Sequence, residues 1–236
     1  QNRTLTVRYT ERAFSEKEAK FTIATNKKEA TYSLEDLKTK KVRGITVGNA
    51  QVIEGATADE KQTSYEITFS GKNGKEELDQ DYEIKEIKLT DEAGNEGTAD
   101  LSGLQNSFTV DGTKPLVDVK YDKNKVKNEK YFNAERTATV TFTERNYDES
   151  KISFNLNGTS YTLTDLVNAD GIKSVSADKH TYTIVFGKKA NEESYDHDFD
   201  FLPEIEDKAG NKNDGVKYAD GTKAGQKFTI DMDAPV

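Results

Sequence analysis

An all-β protein made of two sandwich repeats is what the sequence predicts, on three observations. Apolar residues alternate with polar ones at period two, the chain is internally duplicated, and turn residues separate short strand-like runs. Leu5, Val7 and Tyr9 alternate with Thr4, Thr6 and Arg8, and Ala138, Val140 and Phe142 alternate with Thr137, Thr139 and Thr141. Tyr65, Ile67 and Phe69, and Tyr182, Ile184 and Phe186, follow the same rule. Such alternation collects the apolar side chains on one sheet face and leaves Thr, Lys and Glu on the other. The mean hydropathy of −0.87 raises the question of disorder, and Leu, Ile, Val and Phe together make up about a fifth of the chain, near the compositional edge of disorder. One-sided antiparallel sheets need few apolar residues, however, and the pattern predicts order.

The duplication runs through the whole chain. Arg3–Arg12 (RTLTVRYTER) matches Arg136–Arg145 (RTATVTFTER), and Tyr32–Leu37 matches Tyr161–Leu166. Tyr65–Phe69 matches Tyr182–Phe186, Asp91–Asn95 matches Asp207–Asn211, and Phe108–Pro115 matches Phe228–Pro235. Five blocks keep one order, and the spacing between them drifts only as loop insertions would. The unit is about 120 residues, the size of a β-sandwich domain. This divides the chain into a first domain over 1–113, a second over 114–231, and the start of a further repeat or linker over 232–236. The first domain matches only from its second strand onward, so the sequence reads as a piece of a longer array.

The strands of the second repeat follow in order. Leu116–Tyr121 opens it after Pro115, which cannot donate to a ladder and suits a linker or first strand residue. The alternating run at 137–143 is the second strand, and Ile152, Phe154 and Leu156 form the third. Asn157-Gly158 is a strong hairpin signal, returning through Tyr161 and Leu163. Residues 164–169 are expected to form one helical turn capped by Thr164. Strands at 180–186, 198–206 and 226–231 complete the set, with the Asp207–Asn211 turn between the last two. Seven or eight short strands so spaced predict an immunoglobulin-like sandwich.

Asp-x-Ala-Gly-Asn, a strand ending Phe-Thr-Val/Ile-Asp, and a Pro shortly after resemble the tandem bacterial Ig-like repeats of large cell-surface and adhesin proteins. The residues are Asp91–Asn95 with Phe108–Pro115, and Asp207–Asn211 with Phe228–Pro235. Thr143–Asp148 is also similar to such repeats, and the first copy departs there at Ala13-Phe14-Ser15. The resemblance implies an extracellular stalk or adhesin module attached to a cell surface or wall, without enzymatic activity. Its partners would be neighbouring repeats of the same chain. The alternatives are an adhesin module that binds a host protein or glycan through end loops, and an ancillary module of a secreted carbohydrate-active enzyme.

Composition narrows the chemistry. There is no Cys, so disulfides, thiol nucleophiles and Cys-ligated metals are excluded. Two His leave little for a His-based metal site or triad. A net charge of −9 disfavours nucleic acid, which requires a basic stripe. Oxygen ligands are abundant. In an Ig-like topology the loops after the second and sixth strands share one end of the domain. Glu144, Asn146 and Asp148 lie on one loop, Asp207 and Asn211 on the other, and Asp111 on the linker. Calcium takes 6–8 oxygen ligands, so Asp111, Glu144, Asp148, Asp207 and Asn211 form a candidate Ca2+ set at the interdomain junction. The competing reading is favoured: Asp opens a turn by bonding its own backbone, and Gly210 supplies the left-handed residue. Tyr147 and Tyr195 are expected to be exposed loop aromatics. A Lys–Asn or Lys–Asp isopeptide staple would suit a sandwich without Cys, but no pair is singled out.

Overall fold

The computed structural model describes all residues except 1, 12–13, 54–61, 123–125, 128–129, 219–224 and 236. Arg12 and Ala13, quoted in the sequence comparison, therefore lie outside the described residues. The chain forms two compact units, Gln1–Thr113 and Lys114–Val236, both nearly all β.

The first unit comprises β1 (Arg3–Thr10), β2 (Ala19–Thr25), β3 (Lys28–Ser33), α1 (Leu34–Thr39), β4 (Ile45–Val47), β5 (Gln51–Ile53) and β6 (Gln62–Phe69). A small hairpin follows, β7 (Lys72–Asn73) with β8 (Glu76–Glu77), then β9 (Asp79–Thr90), β10 (Glu96–Thr98) and β11 (Ser107–Asp111). One sheet has the order β1-β6-β4, with β5 also on β6. The other has the order β10-β9-β2-β3, with β11 also on β9. Alternation decides which face is buried: Val7, Tyr9, Tyr65, Ile67 and Phe69 from the first sheet meet Phe21, Ile23, Tyr82 and Ile84 from the second.

The second unit comprises β12 (Leu116–Tyr121), β13 (Val126–Lys127), β14 (Tyr131–Phe132), β15 (Arg136–Thr143), β16 (Ile152–Leu156), β17 (Thr159–Tyr161) and α2 (Leu163–Leu166). It continues through β18 (Ile172–Asp178), β19 (Thr181–Phe186), β20 (Asp196–Ile205), β21 (Lys217–Tyr218) and β22 (Lys227–Asp231). Its sheets run β18-β19-β15-β12-β21 and β13-β14-β22-β20-β16-β17. The first contains the A-B-E-D order of an immunoglobulin-like sandwich, and the second contains C-F-G. β14 extends that second sheet by pairing parallel to β22.

The repeated blocks acquire structural reasons. Tyr32–Leu37 and Tyr161–Leu166 each lead from the end of a strand through a cap into a helix. Ser33 Oγ accepts from the Asp36 amide at 3.0 Å while the Asp36 carboxylate accepts from the Ser33 amide at 3.3 Å. Thr162 Oγ1 accepts from the Asp165 amide at 3.2 Å. The cap is thus Thr162 and not Thr164, because the first hydrogen-bonded turn begins two residues before the expected position. Leu37 and Leu166 are each buried in the core of their own unit. Asn157 and Gly158 have φ of 51° and 83°, the left-handed pair that a tight hairpin between twisted strands requires.

Two further expectations are corrected. The sequence reading has no strand between α2 and β19, yet β18 pairs along β19 from Ile172 to Asp178. Its burial is mostly one-ended, so it carries little apolar alternation. Tyr195 is buried at 1% exposure, its hydroxyl donating to the Gly171 carbonyl at 2.7 Å.

Candidate functional site

The loops after β15 and β20 meet at one end of the second unit. The Lys208 amide donates to the Asn146 carbonyl at 2.9 Å, and the Glu206 amide to the Lys151 carbonyl at 3.4 Å. Four of the five expected oxygen ligands stand on these loops. Each does local work.

Asp207, 2% exposed, organises its own turn. Its Oδ1 accepts from the Ala209 amide at 2.8 Å and the Asn211 amide at 2.9 Å, and its Oδ2 from Asn211 Nδ2 at 2.8 Å. Gly210 sits at φ 87° and completes the turn. Asp148 caps a single 3-10 turn over Glu149–Lys151, accepting from the Ser150 amide at 3.1 Å and its hydroxyl at 2.7 Å. The Ser150 hydroxyl, with the backbone bond, holds the Asp148 carboxyl below its ordinary range. Glu144 Oε1 accepts from the Asn146 amide at 2.8 Å and shapes the same loop.

Asp111 belongs to the first unit, at the end of β11 and directly opposite Asp79 of β9. It is buried, and its Oδ1 accepts from the Thr113 amide at 2.9 Å and the Thr113 hydroxyl at 2.7 Å. The first unit repeats the Asp207 turn at Asp91. Asn95 donates its amide to Asp91 Oδ1 at 2.7 Å and its side-chain Nδ2 to Oδ2 at 2.8 Å. Gly94 takes φ 88°.

An aromatic cluster at the start of β19 was not legible as such. Tyr147 stacks on His180 with centroids 4.0 Å apart and 10° between planes. Its hydroxyl bonds that of Tyr182, which donates to Glu149 Oε1 at 3.3 Å. Burial, then Tyr147 and Glu149, push the Tyr182 phenol far above its usual value, so it stays protonated and neutral. Tyr182 reads in the sequence only as one more alternating core position. His197, unlike His180, lies on a strand, with Nδ1 3.6 Å from an Asp170 oxygen. No described lysine is buried, which gives an isopeptide staple no enclosed partner among the described residues. No helix among the described residues is long and apolar enough to cross a membrane.

No protein-family model matches the chain, and no curated protein matches it. Solved structures that resemble it include SGBP-B of the Bacteroides ovatus mixed-linkage glucan utilization locus, in complex with a mixed-linkage heptasaccharide. It is 13% identical over 97% of this chain, with a TM-score of 0.21, and this chain spans 40% of its length. The titin domains Z1Z2, in complex with telethonin, are 8% identical over 99% of this chain and 89% of theirs, with a TM-score of 0.28. The fibronectin(III)-like modules of Clostridium thermocellum CbhA are 13% identical over 92% of this chain and 85% of theirs, with a TM-score of 0.25. At these identities and scores, nothing about ligand or activity carries over.

Proposed function

We propose that this chain is a non-catalytic spacer of an extracellular bacterial surface protein, in which Ig-like units in series hold a distal domain away from the cell. One observation carries the reading. The two repeats share their turn chemistry and their core aromatics, so what has been duplicated is architecture. Asp91 and Asp207 spend both carboxylate oxygens on the same turn. Phe69, Tyr82 and Phe108 pack as Phe186, Phe199 and Phe228 do. A spacer requires this of each unit: a closed core and loops that bond to themselves.

Calcium bound by Asp111, Glu144, Asp148, Asp207 and Asn211 belongs to the same proposal, as a stiffening ion whose ligands are all oxygen. An adhesin that binds a host protein or glycan through end loops is the second reading, and the stack of half-buried Tyr147 on exposed His180 is the feature that favours it.

Pulling the chain from its ends tests the spacer reading. Two all-or-none rupture events are expected, each releasing roughly 400 Å of chain at about 3.3–3.6 Å per residue. A gradual extension without two discrete events would overturn it, because such a chain would yield under load instead of holding its length.

A further inference from the structure

Asn-Gly occurs twice in the chain, at Asn73-Gly74 and at Asn157-Gly158. Glycine has no side chain to shield its amide nitrogen, so that nitrogen can attack the side-chain carbonyl of the asparagine before it. The attack needs an unoccupied amide nitrogen and an asparagine side chain able to turn toward it. Both pairs stand at hairpin tips, and all four residues are exposed, so access of water does not distinguish them. Their hydrogen bonds do.

Asn157 is held at every group the attack would use. Its Oδ1 accepts from the Asp200 amide at 2.7 Å, and its Nδ2 donates to the Asp198 carbonyl at 2.9 Å. The Gly158 amide donates to Asn155 Oδ1 at 3.0 Å. Asn157 is tied to β20 by its main chain as well, its amide donating to the Asp200 carbonyl at 2.9 Å.

Asn73 is held differently. It ends β7, directly opposite Glu76 of β8. Gly74 follows at φ 67°, with open space where a Cβ would stand. Arg43 takes up the Glu76 carboxylate, its Nε donating to Oε2 at 3.2 Å and its Nη2 to Oε1. Arg43 is the main reason the Glu76 carboxyl lies below its ordinary range, and the Asn73 side chain adds a lesser bond to it. Among the described residues, no set of bonds like that at Asn157 fixes Asn73 Oδ1 and the Gly74 amide.

We propose that Asn73 is a site of spontaneous deamidation in the folded chain, and that the structure protects Asn157 from the same reaction. Solvent base takes the proton from the Gly74 amide nitrogen, which attacks Asn73 Cγ. The N–Cγ bond forms, the Cγ–Nδ2 bond breaks, and Nδ2 leaves as ammonia with a proton taken from water. The product is a five-membered cyclic imide, and one water opens it. Breaking the new N–Cγ bond gives aspartate. Breaking the bond from the Gly74 nitrogen to the Asn73 main-chain carbonyl gives isoaspartate, in which the chain runs through the side chain. Nothing is oxidised or reduced: one water enters and one ammonia leaves. Either product sets a carboxylate opposite Glu76, and like charges directly opposite weaken a strand pair. The hairpin is tied at its base, where the Leu78 amide donates to the Gly71 carbonyl at 2.8 Å, so the change is confined to the tip. The first unit therefore gathers a charge mark with time while remaining folded.

The test incubates the full chain at mildly alkaline pH, in buffer and in unfolding guanidinium chloride, and follows both sites by peptide mapping with mass spectrometry. Conversion shows as the mass of O in place of NH, with aspartyl and isoaspartyl peptides separated by retention. In buffer, Asn73 should convert at least roughly tenfold faster than Asn157. In guanidinium chloride, where the bonds around Asn157 are gone, the two rates should converge. Asn73→Gln should abolish the reaction at that site, because a six-membered ring closes far more slowly. Asn155→Ala, which releases the Gly158 amide, should speed conversion at Asn157 and leave Asn73 unchanged. Equal rates at the two sites in buffer would overturn the proposal. So would an Asn73 that stays intact in buffer yet converts in guanidinium chloride, since the β7–β8 hairpin would then protect it.

Discussion

Asp91 shows how far one carboxylate can be read. The sequence offers an Asp, a Gly three residues on and an Asn after it, and the turn follows from those types alone: the acid accepts, the glycine turns left-handed, the amide closes. The structure adds that Asn95 supplies both its amide and its side chain. The Asn95 side chain is the main reason the Asp91 carboxyl lies below its ordinary range, with the backbone amides adding to it. The sign follows. A depressed folded value means that Asp91 contributes stability above the usual unfolded carboxylate value, about 3.9. That contribution is lost as pH falls through its own lower value. Carboxyl carbon NMR should place the Asp91 midpoint below about 3.9, and Asn95→Ala should move it upward. A midpoint at the unperturbed value would mean that the turn does not hold the ionised form. Tyr195 marks the opposite case. It follows the loop-like Asn-Glu-Glu-Ser run, so it reads as exposed. Its burial depends on the distant Gly171 carbonyl, which no local pattern encodes.

Among the elements, those whose signal is local were legible and those held by long-range packing were not. The alternating runs of β1, β6, β15 and β19 announce both strand and buried face. β18 does not, because it lies at a sheet edge and most of its side chains are exposed. A contact between backbones is equally silent in sequence. Gly112 follows β11 and passes so close to Gly71 that a Cβ on Gly112 would stand 2.9 Å from the Gly71 carbonyl carbon and nearer still to its oxygen. The approach is fixed from both sides by Leu78, whose amide donates to the Gly71 carbonyl at 2.8 Å and whose carbonyl accepts from the Gly112 amide at 2.8 Å. Backbone cannot rotate aside as a side chain can. Gly112→Ala should therefore cost about 3 kcal/mol or more in urea unfolding of the first unit. Gly97→Ala, with open space where its Cβ would stand, should change stability by less than about 1 kcal/mol. Equal effects would show that the β11 end yields easily.

For the whole molecule, the duplication and the acidic balance were legible and the ligand question was not. Repetition shows in residue types, but whether an oxygen is committed to a turn or left to an ion depends on geometry. Here Asp207, Asp148 and Asp111 accept backbone hydrogen bonds, and a carboxylate that does so still carries lone pairs able to coordinate. The competing roles separate in thermal melts of the intact chain, in millimolar calcium and then in EDTA, at matched ionic strength. Matching matters because a net charge of −9 draws divalent ions without any site. A specific ion binds only the folded state and stabilises it by about 2.7 kcal/mol at a hundredfold excess over its Kd, a shift of several degrees for units of this size. Magnesium should not reproduce the shift, since it demands a tighter octahedral shell and gives up water reluctantly. A rise with calcium alone would support Asp111, Glu144, Asp148, Asp207 and Asn211 as ligands of a stiffened spacer. Identical melts would remove the ion, and the Asp-x-Ala-Gly-Asn turns would then stand as the means by which each unit closes its own end.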